Sequence, residues 1–183
     1  MTIKTPLEIR RKSFATTLPR LYHQMQSHIE PLGGTVVRLD HGRWGVMVDN
    51  QLRSTFLLKN SKNWVNDPKA VNLIGRFDFR SWHVMEPDDL NADVDFFVFA
   101  TTQREPEKID IVVLTKNEML KLWNDPRRKA GARGSKFFYF SRLLTGRFGD
   151  SRFAKSAKKD YAGWVDLDTS ALNNYKALVT DHK

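Results

Sequence analysis

The stretch QLRSTFLLKNSK, residues 51–62, is where the residue types first point to chemistry. It reads as a strand, and because side chains alternate along a strand, Leu57 and Lys59 share one face. A carboxylate two residues from a lysine can hold a divalent metal ion. The metal ion and the lysine ammonium can then contact the same phosphate group, and the metal ion also activates a water molecule. A leucine cannot bind a metal. The catalytic candidates are therefore Lys59 with the nearby carboxylates Asp49 and Asp40.

These carboxylates are not placed as a metal site would require. On the preceding strand Gly45, Met47 and Asp49 share one face, and Asp49 falls at the turn rather than within the strand. Asp40 precedes that strand, and Asp78 is a third carboxylate to which a metal site could have migrated. Whether the strand is a nuclease strand without its acid or an ordinary core strand stays open at this point.

The basic residues give a second candidate site. The net charge is +9, and residues 116–160 hold 13 Lys and Arg with 4 Asp and Glu, whereas the rest of the chain holds 17 of each. A concentrated excess of this kind is typical of a protein that binds a polyanion, although a solvated basic surface would read the same way. The predicted contacts to nucleic-acid phosphates are Arg127, Arg128, Lys129, Arg133, Lys136, Arg142, Arg147, Arg152, Lys155, Lys158 and Lys159.

An aromatic run, FFYF, lies within the basic segment at residues 137–140. Four adjacent aromatic residues could stack on bases, as in proteins that bind single strands. Aromatic runs more often belong to a packed strand, and in a strand only alternate members can be exposed.

The composition excludes several classes of protein. A chain of 183 residues with 40% hydrophobic residues and twelve Phe is long and apolar enough for one compact domain with a proper core. The absence of cysteine excludes disulfides and thiolate chemistry.

The segment MTIKTPLEIRRKSF lacks the apolar core of a signal peptide, and no run is long enough to span a bilayer. We therefore expect a cytoplasmic protein without membrane contact. The five histidines show no helical metal spacing, so no metal site and no cofactor are predicted.

Periodicity and turn residues predict an α/β fold. The pattern predicts a helix over 6–29 interrupted at Pro19, and a last helix that begins after Asp168, Thr169 or Ser170. The motif of Thr115 and Glu118 is a capping box that opens a helix over 115–123. The predicted strands are 35–39, 43–49 and 52–59, with a hairpin turn at Asp49–Asn50–Gln51, then 76–82, 94–102, 109–114 and 137–141. The acidic segment 85–93 is predicted to be a surface loop, and 64–75 a connection.

The order of these elements resembles the restriction-endonuclease-like, PD-(D/E)XK, superfamily. A helix is followed by a hairpin whose second strand ends in Lys59, by the buried strands VDFFVFATT and IDIVVL, and by the helix TKNEMLKLW. The resemblance covers roughly residues 6–123. It implies a mixed central sheet flanked by helices, with Lys59 as the family lysine and magnesium as the cofactor of any cleavage. Leu57 stands where the acidic residue of the motif belongs, and Gly45 or Met47 stands near the place of the first aspartate. The resemblance therefore implies a degenerate member of the superfamily.

Together these observations predict a mixed central β-sheet flanked by helices in residues 1–124, with a basic C-terminal lobe, 125–183, packed on that core as part of one domain. The predicted function is nucleic-acid binding on a nuclease-like fold with a degenerate active site, and DNA is the expected partner. Two alternatives stay open. One is an active magnesium-dependent endonuclease with migrated carboxylates, and the other is a protein-interaction or immunity-type module. The oligomeric state, including a homodimer, also stays open.

Overall fold

The computed structural model describes residues 19–40, 42–62, 77–102, 109–151 and 165–180. The described helices are α1 (19–29), α2 (Pro87–Leu90), α3 (Lys116–Trp123) and α4 (Tyr175–Val179). The described strands are β1 (Gly34–Arg38), β2 (Arg43–Val48), β3 (Gln51–Lys62), β4 (Phe77–Arg80), β5 (His83–Met85), β6 (Phe96–Thr102), β7 (Ile109–Thr115), β8 (Lys136–Phe138), β9 (Phe140–Leu143), β10 (Phe148–Asp150) and β11 (Val165–Asp166). The predictions for Thr17, for the connection 64–75 and for Arg152, Lys155, Lys158 and Lys159 lie outside the described residues.

A five-stranded mixed sheet forms the centre of the fold. Its strand order is β1-β2-β3-β6-β7, in which β3 and β6 run parallel and the other neighbours run antiparallel. The sheet is covered by helices, so the predicted α/β class with a mixed central sheet flanked by helices is confirmed.

Both faces of the central sheet are buried. The near-continuous apolar run of β6 sends Val98 and Ala100 to one face and Phe97 and Phe99 to the other. On the first face α1 and α4 complete the core, and Leu21 of α1 is almost fully buried there. The second face is covered by α3 and by the strands of two smaller sheets.

The smaller sheets come largely from the second half of the chain. One is four-stranded, in the order β11-β10-β9-β4, and the other is a two-stranded ribbon of β5 and β8. Phe138, Phe140 and Phe148 from these strands lie in the same cluster as Phe97 and Phe99. Residues beyond 124 thus share a core with the central sheet instead of enclosing a core of their own.

Two local predictions are confirmed. The β2–β3 hairpin closes through a two-residue turn in which Asp49 and Asn50 have φ of 50° and 60°, and Val48 pairs with Gln51. Asn and Asp tolerate this left-handed conformation better than other non-glycine residues. The capping box also forms, because the Thr115 side chain accepts from the backbone N–H of Glu118 and the Glu118 carboxylate accepts from that of Thr115.

Three predictions are corrected. The strand expected over 137–141 is interrupted at Tyr139, so its two halves, β8 and β9, join different sheets. The last helix begins at Tyr175 with Asn174 as its cap, because Asp168 instead caps a short 3-10 turn, Thr169–Ala171. The acidic surface segment 85–93 includes a short helix, α2, which is closed by its own capping box.

Candidate nucleic-acid interface

Lys59 is held by an aspartate that the sequence did not single out. The strand predicted to end at Lys59 continues to Lys62, so Lys59 lies within β3 and pairs with Phe99 of β6. Lys59 Nζ lies 2.6 Å from Oδ2 of Asp89, which is on α2, and both side chains are mostly buried. Leu57 lies on the same face of β3 and packs against the second core cluster. Arg43 on β2 is directly opposite Leu57. The position of Leu57 is therefore flanked by two cations, which is the surrounding that would suit a carboxylate.

The predicted catalytic carboxylates are not brought to Lys59. Asp49 lies at the hairpin turn, and the eight residue steps from Gln51 to Lys59 span about 26 Å of strand. Asp40 forms an ion pair with Arg43, and this pair raises the pKa of the arginine. Within the described ranges, no group of three or more His, Cys, Asp or Glu is placed to hold a metal ion.

Asp78, the third carboxylate considered, lies in a different sheet. It accepts from Arg142 Nε at 2.9 Å through each of its two oxygens. The charges of Asp78 on β4 and Arg142 on β9 thus neutralise each other. Asp78 lies in a different sheet from β3, the strand that carries Lys59.

A buried histidine lies beside Lys59. The His83 ring contacts Phe99 edge-on with centroids 5.0 Å apart, and neither ring nitrogen has a hydrogen-bond partner among the described residues. Burial, with a smaller contribution from the charge of Lys59, lowers the pKa of His83 to about 3. His83 is therefore neutral at physiological pH, and Lys59 supplies the positive charge in this part of the second face.

The predicted phosphate contacts divide into distinct groups in the described chain. Three arginines are held by acidic partners at the surface, namely Arg127 by Asp125, Arg142 by Asp78 and Arg147 by Asp166. The hydrogen bond from Arg127 lowers the pKa of Asp125 to about 2. Lys136 donates to the carbonyl of Trp123 at 2.7 Å, and its ammonium lies 4.8 Å from the centroid of that indole ring.

Arg128 is not a surface residue. Its guanidinium donates to the carbonyls of Leu122 and Phe137 and to the carboxylate of Asp150, and both members of this ion pair have fully buried side chains. It also lies 4.1 Å over the ring of Phe138. Arg128 is thus a structural cation that joins the end of α3, β8 and β10, and its assignment as a phosphate contact is wrong.

Lys129 and Arg133 remain as exposed cations on an ordered loop, residues 127–135, hereafter the basic loop. Within the described part of the chain, neither forms an ion pair. Arg133 has φ of 57°, and Gly134 follows with φ of 75°. The Gly131 N–H donates to the Ser135 carbonyl at 2.7 Å. The loop therefore presents Lys129 and Arg133 from a hydrogen-bonded turn.

An aromatic surface lies beside this loop. The ribbon of β5 and β8 buries His83, Met85 and Phe138 on one side, so the alternate residues face outward. The outward residues of the ribbon are Val84 and Phe137, and these two together with the flanking Trp82 and Tyr139 are hereafter the aromatic shelf. Trp82 and Val84 are 39% and 41% exposed, and Phe137 and Tyr139 are partly exposed. The rings of Trp82 and Tyr139 are nearly parallel, with 6° between their planes and centroids 6.1 Å apart.

The basic loop and the aromatic shelf are in contact. A Cβ added to Gly131 would lie 3.0 Å from Cε2 of Phe137, so the loop backbone approaches the shelf as closely as a glycine allows. The sequence reasoning raised Phe137 and Tyr139 as alternate aromatic residues that a strand could expose, but it missed Trp82 and Val84. The signal available for them was the alternation of buried and outward residues across RSWHVM, residues 80–85.

Comparison of the chain with protein-family models, with curated proteins and with solved structures gives no match in any of the three. None of the described helices combines the length and the apolar character that crossing a membrane would require.

The charges around position 57 generate a prediction. We expect Leu57→Glu to be at least as stable as Leu57→Ala, because Arg43 and Lys59 flank the new carboxylate on the same face. Leu57→Lys should be less stable than Leu57→Glu by roughly 0.5–1 kcal/mol, since like charges opposite each other in a sheet destabilise it. Urea unfolding of the three variants measures the order. If Leu57→Glu unfolds while Leu57→Ala stays folded, position 57 is ordinary core.

The burial of His83 predicts a pH dependence of stability. The unfolded chain binds a proton on this histidine below about pH 6.5, whereas the folded chain binds it only near pH 3. The free energy of unfolding should therefore fall as the pH falls from 6.5 towards 3, by up to about 1.4 kcal/mol per pH unit from this group. His83→Leu should remove this part of the slope.

Urea unfolding of parent and His83→Leu from pH 7 to pH 4 measures that difference, and contributions from the carboxylates are common to both proteins. The control is His23→Leu, the same histidine-to-leucine change at an exposed position on α1. Equal slopes in the parent and His83→Leu would show that His83 is protonated in the folded protein.

Proposed function

We propose that the protein binds nucleic acid, with DNA as the expected form, through the basic loop, on a nuclease-like fold whose active site is degenerate. The observation that carries the proposal is the basic excess of residues 116–160 together with the exposure of Lys129 and Arg133 on an ordered loop. Lysine and arginine gain affinity for a nucleic-acid backbone by releasing its condensed counterions.

The nuclease-like part of the proposal rests on the order of elements. A mixed sheet flanked by helices, a hairpin whose second strand leads to Lys59, and a capped helix after β7 are the features shared with the restriction-endonuclease-like superfamily. Leu57 supports a degenerate site, because a leucine at the position of the acidic residue of the motif cannot hold a metal. Asp89 engages the ammonium of Lys59, and this further argues against a catalytic role for that lysine.

We expect affinity for nucleic acid to fall steeply with salt and to depend on the basic loop. Reversing both exposed charges with Lys129→Glu and Arg133→Glu should weaken binding about tenfold or more at low salt. The same change should make the slope of log K against log salt shallower by about 1.5–2, because two phosphate contacts are lost. Fluorescence anisotropy with labelled oligonucleotides over a salt series measures both effects.

The matched control for this experiment is Arg38→Glu with Lys176→Glu. Both residues are exposed, on β1 and α4, and the double change alters the net charge by the same amount. The helix α4 packs on the first face of the central sheet, whereas the basic loop lies with the second face. Equal weakening by the two double variants would mean that total charge, and not this loop, determines binding.

We expect no magnesium-dependent cleavage of nucleic acid. A lone lysine offers no metal ligand, and Asp40, Asp49 and Asp78 are each held away from Lys59 by position or by an arginine. Plasmid, linear duplex and single-stranded substrates incubated with the protein in Mg²⁺ or Mn²⁺ test this. Cleavage that disappears in Asp49→Asn or Asp40→Asn would identify an active nuclease with migrated carboxylates instead.

A further inference from the structure

The outward face of the β5–β8 ribbon departs from the usual pattern. A ribbon with one buried side normally carries polar residues on its other side, because that side is in water. Here Val84 and Phe137 occupy the outward positions of the two strands, Trp82 and Tyr139 directly flank those strands, and Trp82 and Val84 are each about two-fifths exposed. A contiguous exposed apolar surface of this kind is typical of a contact site.

The geometry of the aromatic shelf restricts what could bind there. The planes of Trp82 and Tyr139 differ by 6°, and Phe137 lies 6.0 Å from Trp82 with its plane tilted by 32°. The Trp82 and Tyr139 rings stack in nearly parallel planes, so a flat group that stacks on the exposed part of one ring also lies parallel to the other. The buried Phe138 and Phe140 on the same strands fix the orientation of the shelf, since each is fully enclosed in the second core cluster.

The charge beside the shelf indicates an anionic occupant. Gly131 brings the backbone of the basic loop against Phe137, and Lys129 and Arg133 lie two residues before and two residues after Gly131 in that loop. The Arg80 guanidinium lies near Tyr139 on another side, where burial lowers its pKa, and it lies 5.6 Å over the ring of Phe77. On the far side of the loop, Gly134 contacts Pro87 of the acidic helix α2. A phosphate backbone is therefore expected to follow the loop on its Phe137 side.

We propose that the aromatic shelf binds the unpaired bases of single-stranded nucleic acid while the basic loop binds its phosphates. This inference rests on the proposed nucleic-acid binding and names its substrate class. The bases of a duplex are stacked on each other and expose their edges alone, so a duplex can use the loop but gains nothing from the shelf. A single strand can use both, because every base has a flat face that stacks on an aromatic ring regardless of sequence.

The test compares a labelled single strand with a hairpin duplex of equal phosphate number at one low salt concentration. The parent protein should bind the single strand more tightly. Trp82→Ala with Tyr139→Ala should weaken single-strand binding by roughly ten- to a hundredfold, and duplex binding by less than about twofold. Trp82→Phe with Tyr139→Phe keeps two aromatic rings and should restore most of the single-strand affinity. The control is Leu144→Ala, at an exposed apolar residue of the β9–β10 turn, which should change neither affinity.

The outcomes separate this inference from the proposed function. If neither substrate binds the parent protein, the proposed function fails. If both substrates bind and depend on Lys129 and Arg133 while the alanine variant leaves both affinities unchanged, the shelf is not a base-binding surface and the inference alone is overturned. Equal weakening of both substrates, or failure of the phenylalanine variant to restore affinity, also overturns it, because stacking would then not be the source of the energy.

Discussion

Strand β6 has large apolar side chains on both of its faces, and the architecture depends on covering both. A sheet that contains such a strand cannot leave either side in water, since each exposed phenylalanine would forgo about 2–3 kcal/mol of burial. The first face is covered by α1 and α4, which lie at the two ends of the described chain. The second is covered by α3 and by strands that come before and after it in the chain. The two-sided strand therefore explains why segments distant in sequence pack as one body.

The strands that cover the second face of the central sheet also determine which side chains are exposed at the surface. The aromatic run at 137–140 alternates, so Phe138 and Phe140 enter the core while Phe137 and Tyr139 face outward. The outward rings are thus fixed by the burial of their neighbours and do not have to be ordered when a ligand arrives. Groups that are already ordered before binding lose less conformational entropy when the ligand binds. The same residues that complete the core hold the candidate interface in place.

Sequence patterns predicted the parts of the fold that depend on residues close together in the chain. The buried runs of β6 and β7, the Asp49–Asn50 turn and the capping box of Thr115 each depend on residues within a few positions of each other. Long-range contacts could not be predicted in this way. The charge pattern assigned Arg128 to a phosphate contact because a basic run carries no sign of which member turns inward. Asp89 was missed as the partner of Lys59 because a position 30 residues away is brought to it by α2. Trp82 and Val84 were missed for a similar reason, since their outward placement follows from pairing with β8.

The buried pair of Arg128 and Asp150 has a consequence for how the chain can change over evolutionary time. Replacing only one of the two residues should lower the free energy of unfolding by about 3–5 kcal/mol, because the other would remain as an uncompensated buried charge. Replacing both together with apolar residues of similar volume can be nearly neutral. Among related chains the two positions should therefore vary jointly, retained as a charge pair or lost as one. Lys129, adjacent in sequence but exposed, is free of that linkage and can drift with the demands of binding.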